Sequence, residues 1–340
     1  MQYTVAIVGA TGNVGQEILS ILHERKFPIK DLIPLASDRS DGQEIDYGDR
    51  DILVVKDLDT FDFDGVDIVL ASVGAQTSLE FAPRATQAGC FVIDNSSAFR
   101  MHPDIPLVVP EVNREALHQV RNQNIVASPN CIAIPLAMTL APLHQVVPIK
   151  RVVISTYQST SGAGSKVMEE LFEQTQAIFL NQDIEHHYLS HQIAFNIIPQ
   201  IDELEGSGYT GEETKVIQET KKIIDSTIEI TATCVRVPVF VGHAISAHIE
   251  FARPIEVTKA QNALQQAAGI CVNDSSELTT PLDCAGTDDV FVSRIRKDDS
   301  VENGLALWIT SDNLRKGAAL NTVQIAEALV EEGEDGQPLF

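Results

Sequence analysis

Short apolar runs alternate with amphipathic stretches through the first 130 residues. "YTVAIVG" reads as a buried strand, and a Gly-rich turn leads from it into the helical pattern "VGQEILSILHERK". "LIPLAS" and "VDIVLASV" follow as strands, then the helical "TSLEFAPRATQAG", then the strands "CFVIDNS", "LVVPEVN" and "NIVAS". Repeated strand-turn-helix signals predict a parallel sheet covered by helices. After residue 131 the texture changes. "RVVISTYQS", "IEITATCVRVPVF", "HAISAHIEFARP", "DVFVSRIR" and "GLALWITSD" read as strands, with amphipathic helices at "SKVMEELFEQTQAIFL" and within "GYTGEETKVIQETKKIID". That pattern predicts a second, α+β domain with a mostly antiparallel sheet. The last helical pattern, "RKGAALNTVQIAEALVEE", suits either domain.

Composition narrows the class. A length of 340 residues suits two domains of ordinary size. The longest apolar runs are too short to span a bilayer and contain proline, and no basic segment precedes the first apolar stretch, so a cytoplasmic protein is expected. Five cysteines without a CxxC pair suggest thiols, neither a disulfide framework nor a metal centre. A net charge of −24 argues against nucleic-acid binding, and its local concentration is confined to the tail "VEEGEDGQ".

Gly9, Gly12 and Gly15 in "IVGATGNVGQ" sit between the first strand and the first helix. Glycines there allow a tight turn and close approach of backbone to a pyrophosphate at the helix N-terminus, which predicts a dinucleotide site. The bland alternative is a turn that only lets strand and helix pack closely. At the end of the second strand, "LASDRSDG" sets Arg39 between Ser37 and Ser40, a cradle for a 2′-phosphate; Asp38 pulls toward a 2′-hydroxyl instead.

Two nucleophile candidates stand out. Cys131 follows a strand-Pro-Asn junction and precedes "IAIPLAMTLAPL", which places it at a helix N-terminus where a thiolate is favoured. Cys284, in "PLDCAGTDD", is its rival, whereas Cys90 and Cys234 read as core strand residues. His243 follows Gly242 at the start of an alternating strand, as suits a base at a cleft or a buried structural histidine; His248 falls on the opposite face.

"GATGNVGQ", "NSSAFR", "SPNC", "TYQSTSGAG", "EETKVIQETKKI" and "RVPVFVGHA", in this order, closely resemble the bacterial aspartate-β-semialdehyde dehydrogenases over essentially the whole chain. The resemblance implies an NADP-binding Rossmann-like domain, residues 1–130 plus 315–340, and a catalytic and dimerisation domain, residues 131–314. It also implies a homodimer. The implied reaction is NADPH-dependent reduction of L-aspartyl 4-phosphate to L-aspartate 4-semialdehyde through a Cys131 thioester. That step belongs to diaminopimelate, lysine, threonine and methionine biosynthesis.

Carried over by resemblance, His243 is the acid/base and Gln158 positions the substrate. Asn130 supports the same site or caps the helix that follows. Arg100 and Lys215 match phosphate contacts, and Arg236 matches the fork that holds the α-carboxylate. Glu212 matches the group that meets the amine, with Glu213 one residue away. On the cofactor side, Gly9, Thr11, Gly12, Asn13 and Val14 match the phosphate loop, and Ser37, Arg39 and Ser40 match the 2′-phosphate side. Ser161 and Gly162 match the nicotinamide side, and Asn321 matches a contact to the carboxamide. Rival readings are a related acyl-phosphate reductase, acting on N-acetylglutamyl phosphate or a triose phosphate, and a non-catalytic NADP sensor.

Overall fold

A computed structural model describes residues 1–48, 51–273 and 277–331; most of the acidic tail lies outside the described residues. The chain divides into two compact units, Met1–Asn130 with the segment from Ala318 onward, and Cys131–Gly317.

The first unit follows the strand-helix alternation of its sequence. Strand β1 (Tyr3–Val8) leads into helix α1 (Asn13–Glu24), then β2 (Ile29–Ala36), a polar hairpin of β3 (Glu44–Tyr47) and β4 (Asp51–Val54), and short β5 (Lys56–Asp57). Strand β6 (Ile68–Ala71), helix α2 (Ala75–Gln87), β7 (Phe91–Asp94), the single turn α3 (Pro110–Asn113) and β8 (Ile125–Ala127) complete this part. The parallel sheet runs β5-β2-β1-β6-β7-β8. All residues of β1 and β6 are buried, which explains their unbroken apolar runs: a parallel sheet is covered on both faces.

"LVVPEVN" is not the strand its composition predicts. Leu107 makes one parallel bridge to Ala127, and Pro110, lacking an N–H, then opens α3. Asn113 closes the turn by accepting from Val109 N and donating to Leu107 O.

The second unit is built on a six-stranded mixed sheet. Its elements are α4 (Ala133–Val146), β9 (Ile149–Gln158), α5 (Ser165–Phe179), α6 (Gly211–Ile223), β10 (Glu229–Arg236) and β11 (His243–Phe251). They continue with α7 (Val257–Gln265), β12 (Ile270–Val272), the turn α8 (Pro281–Cys284), β13 (Val290–Asp298) and β14 (Gly304–Ser311). The order is β10-β9-β11-β14-β13-β12, with antiparallel pairing inside and a parallel pair at each edge. Alternate residues of β9 are buried, and α4, α6 and α7 pack against this sheet. Tyr157 and Trp308 meet with ring centroids 5.4 Å apart, and Tyr157 is exposed.

A π-helical stretch, Arg315–Ala319, precedes the last helix, α9 (Leu320–Val330). Leu320, Val323, Ile325, Ala326 and Leu329 of α9 enter the same apolar cluster as Ile7, Ile18 and Leu70 of the first unit. Among the described residues, no helix is long and apolar enough to cross a membrane.

Candidate active site

Cys131 stands two residues before the first residue of α4, a helix buried on nearly every side. It is partly exposed, whereas Cys90, Cys234 and Cys284 are buried. A Cβ on Gly317 would lie 3.2 Å from the Cys131 Cβ and 3.4 Å from its carbonyl oxygen, so the π-helical turn is pressed against the cysteine backbone. Cys284 is no loop thiol: it ends α8, donates to Pro281 O, and burial pushes its pKa up to about 12. Burial similarly pushes the Cys90 thiol up to about 11 and raises that of Cys234 further.

The ends of β9 and β10 bring the polar groups of this unit together. Gln158 and Arg236 are parallel register partners, and both are buried. The Gln158 amide is held at both ends, accepting from Thr156 Oγ1 at 2.9 Å and donating to Glu212 Oε1 at 3.0 Å. Glu212 lies 3.6 Å from Lys215 Nζ, which also pairs with Asp202. Arg236 Nη1 donates to Ser159 O at 2.8 Å. Burial lowers the guanidinium's pKa, and the charges of Glu212, Cys131 and Asp202 draw it back up.

Glu212, matched by resemblance to the amine contact, and its neighbour Glu213 have different partners in the fold. Glu213 closes a capping box with Thr210 and accepts from Cys234 N at 2.9 Å, so its oxygens hold α6 to β10. Glu212 faces Gln158 and Lys215 instead.

Arg236 also lines a cavity of about 550 Å³ with Lys166, Tyr188, Gln200 and Asp202. The loop supplying Tyr188 is tied to α5 by the buried Glu170, whose carboxylate accepts from Tyr188 N at 2.8 Å.

His243 begins β11 and is 1% exposed. Its Nδ1 accepts from Ser159 N at 3.0 Å. Its Nε2 is buried with no hydrogen-bond partner, and a Cβ on Gly162 would stand 3.2 Å from it and 3.3 Å from Arg236 Nη1. Pattern reasoning missed Asn313, whose Oδ1 accepts from Gly242 N at 2.9 Å and whose Nδ2 donates to Ser161 Oγ at 2.9 Å. No local signal marks it; it is one Asn in a strand-to-helix turn.

Burial and then the Arg236 charge hold the His243 pKa down to about 3, against a smaller pull upward from the Gly242 backbone. Above pH ~6.5 the imidazole is neutral in both folded and unfolded chains and contributes nothing to pH dependence. Below that, the unfolded chain takes up a proton that the folded chain refuses, so stability falls as pH drops from ~6.5 toward 3. At about pH 5 this loss is on the order of 2 kcal/mol. Urea unfolding at about pH 7.5 and about pH 5 is expected to show a loss that His243→Gln lacks. An equal loss in the variant would mean the folded imidazole is protonated.

The first unit carries the nucleotide-loop residues. Gly9 has φ +85°, and a Cβ there would come 2.3 Å from Ser72 O; one on Gly15 would come 2.1 Å from Gly9 O. Both glycines are therefore required by the fold, whichever reading of the motif is taken. Thr11 and Gly12 are exposed, and Asn13 and Val14 half-buried. The first turn of α1 has no acidic residue and no side-chain cap, which suits a phosphate. Ser37 and Arg39 are exposed and Ser40 half-buried, around a 3₁₀ turn that also contains Asp38.

Arg100 is buried, with Nε on Ser128 O at 3.0 Å and Nη2 on Asn95 O at 2.6 Å. Asp94 anchors the same loop through Ser78 and Ser96, and burial raises its pKa. Asn130 is buried but is not the cap of α4: that position is Ile132, without a side-chain cap bond. Asn321 has no exposed surface, and its amide nitrogen donates to Val108 O and Ser128 Oγ, each at 3.0 Å. It braces the end of the first unit's sheet, so the donor expected to reach a carboxamide is committed within the protein.

Two family models match. Residues 4–120 match the semialdehyde dehydrogenase NAD binding domain, and residues 140–316 match the semialdehyde dehydrogenase dimerisation domain. The chain is 47% identical to aspartate-semialdehyde dehydrogenase of Rickettsia bellii, covering 97% of this chain and 98% of that one. Aspartate semialdehyde dehydrogenase II of Vibrio cholerae, solved in complex with ASA, superposes with a TM-score of 0.95 at 46% identity, over 97% of this chain and 98% of that one. The Candida albicans enzyme, solved with NADP, gives 0.75 at 25% identity, over 97% and 98% of the two chains.

Proposed function

The chain belongs to the aspartate-semialdehyde dehydrogenase family, and from that premise we propose that it reduces L-aspartyl 4-phosphate to L-aspartate 4-semialdehyde with NADPH, releasing phosphate. The observation that carries this reading is a partly exposed thiol in a unit whose buried Gln158, Glu212, Arg236 and His243 surround a common polar centre. The step serves diaminopimelate, lysine, threonine and methionine biosynthesis in the cytoplasm.

Cys131 attacks the acyl carbon, and the tetrahedral adduct expels phosphate with the C–O electron pair to leave the Cys131 thioester. After reduction of that carbonyl the C–S bond breaks to release the aldehyde and return the thiolate. A nicotinamide held on the side of Ser161 and Gly162 would supply the hydride that this reduction needs. His243 serves as the acid/base at the reacting oxygen or sulfur, and Gln158, fixed by Thr156 and Glu212, orients the acyl group without adding charge. Arg236 takes the α-carboxylate, Glu212 the amine, and Arg100 and Lys215 the phosphate. Asn130 sets the cysteine's backbone, and Ser161 and Gly162 take the nicotinamide side. Gly9, Thr11, Gly12, Asn13 and Val14 receive the pyrophosphate, and Ser37, Arg39 and Ser40 the 2′-phosphate. Asn321 acts on the cofactor side as a brace for Ser128. A second copy of the chain covers the half-exposed face of the second unit's sheet around Tyr157 and Trp308, giving a homodimer.

The test is NADPH consumption with aspartyl phosphate, acetylglutamyl phosphate and no acceptor. Turnover is expected with the first alone, and a preference for acetylglutamyl phosphate would overturn the substrate assignment. Arg39→Ala is expected to weaken NADPH binding about tenfold or more, with NADH little affected, since a lost charged hydrogen bond is worth about 1.5–3 kcal/mol. Equal losses with both cofactors would remove Arg39 from the 2′-phosphate.

A further inference from the structure

Cys131 precedes α4, and the π-helical stretch Arg315–Ala319 stands against its backbone. π-Helical turns are rare and recur at functional sites. The bonds that keep this one in place converge on a single side chain. Asp312, directly after β14, is 3% exposed. Its Oδ1 accepts from Leu314 N at 2.7 Å and from Arg315 N at 3.0 Å, and its Oδ2 accepts from Gly286 N at 2.6 Å. Its backbone carbonyl accepts from Gly317 N at 3.0 Å. One residue thus holds positions 314, 315 and 317 and joins them to the loop after α8. A carboxylate suits the task because its two oxygens accept in two directions, whereas an Asn would turn an NH₂ group against one of these backbone donors.

Gly317 carries this anchoring to the cysteine. A Cβ on Gly317 would stand 3.2 Å from the Cys131 Cβ, 3.3 Å from Asp312 O and 3.4 Å from Cys131 O. Carbon atoms pack best at about 3.5–4.0 Å, so even a methyl group there would press on the carbon that bears the sulfur. The bare Gly317 backbone therefore forms one wall of the space around Cys131. Asn313, the next residue after Asp312, serves the other side of the strand end, through Gly242 N and Ser161 Oγ. Arg236 acts electrostatically on Cys131, so a displaced sulfur also changes its distance from that cation.

We propose that Asp312 is a positioning residue for Cys131, taken as the nucleophile of the reaction proposed above: it holds the π-helical turn so that the Gly317 backbone bears on Cys131 and fixes where the sulfur stands. Asp312 touches neither substrate nor cofactor in this role. Its effect is geometric, and a misplacement of about 1 Å at a reacting atom can cost about 100-fold in rate. A fixed sulfur also keeps the benefit of the Arg236 charge and of the N-terminus of α4, both of which favour the thiolate.

The test reads Cys131 directly, in the full chain carrying Cys271→Ser so that the other three thiols are buried. The rate of Cys131 alkylation by iodoacetamide is followed against pH by peptide mass, beside kcat and KM with aspartyl phosphate and NADPH. Asp312→Asn is expected to move the midpoint of the alkylation profile upward and to lower kcat by about tenfold or more, with both KM values changed by less than about threefold. An aspartate acting by its charge alone would give the opposite shift, because removing an anion eases ionisation of a thiol. That opposite shift would overturn the proposal, as would a lowered Tm with unchanged kcat and alkylation profile. Gly317→Ala leaves the Asp312 bonds in place and crowds Cys131 directly, without a left-handed backbone to strain. It should show the same paired changes, and it decides the matter if Asp312→Asn does not fold; an unmoved midpoint and kcat in Gly317→Ala would sink the idea. The double variant should lose little more than the worse single one, since both act on one contact, and fully additive losses would place Asp312 elsewhere. A shifted midpoint in a protein that does not reduce aspartyl phosphate would support the positioning while overturning the proposed activity.

Discussion

Cys131→Ser is expected to fold and to bind NADPH with little change while turnover falls by about 1000-fold or more, because a serine hydroxyl stays protonated near neutral pH. Folding should survive because Cys131 is partly exposed and the exchange of sulfur for oxygen leaves the contact with Gly317 at the backbone and Cβ. NADPH binding should survive because the loop at Gly9 and the turn at Arg39 lie in the other compact unit. The same thiol should dominate labelling by a limiting alkylating agent once the exposed Cys271 is replaced by serine, since the remaining three are buried. A Cys131→Ser enzyme with more than about a tenth of wild-type turnover would end the thioester mechanism. So would alkylation of Cys131 that leaves activity intact.

Arg236→Leu is expected to lower kcat/KM for aspartyl phosphate by about 1000-fold, mainly through KM. Truncating one member of a buried, hydrogen-bonded charge pair costs about 2–5 kcal/mol, and every 1.4 kcal/mol is tenfold. The substitution removes the proposed carboxylate fork and releases the Ser159 carbonyl from Nη1. It also leaves Glu212 to Lys215 and Gln158. Stability should change little, because burial already disfavours the guanidinium's charge and Glu212 keeps Lys215 and Gln158. Arg236→Lys keeps the charge but loses the planar fork, so it should restore little of the affinity. The decisive comparison is an acyl phosphate lacking the α-carboxylate. Wild type should reject it strongly, whereas Arg236→Leu should handle both substrates alike. An unchanged KM for aspartyl phosphate in Arg236→Leu would remove the residue from carboxylate binding.

Much of the fold follows from periodicity. The apolar runs at β1, β6 and β7 and the amphipathic patterns of α1, α5 and α6 carry their own assignments, because side chains a few residues apart decide which face is buried. The hairpin β3–β4 and the short β12 were not visible, since they are brief, mostly exposed or half-buried, and held by their pairing partners. "LVVPEVN" went the other way: its apolar residues are buried, but Pro110 turns the backbone into a helix. The nucleophile candidate was legible for a local reason, a strand-to-helix junction around Cys131. Its rival Cys284 could be dismissed only after the fold buried it.

What the sequence determined by itself was the order of elements, the glycine loop, the shortlist of reactive residues and, through motifs spread along the whole chain, the family they resemble. The tertiary structure alone decided which of those residues share a centre. Gln158 meets Glu212 across 54 positions, and Ser159 meets Asn313 across 154. Pattern within a helix or strand reaches only a few residues, and it cannot say that Glu213 is used by a capping box while its neighbour is left for Gln158. Nor can it bring the Ser159 backbone N–H within 3.0 Å of His243 Nδ1, which strand ends far apart in the chain accomplish.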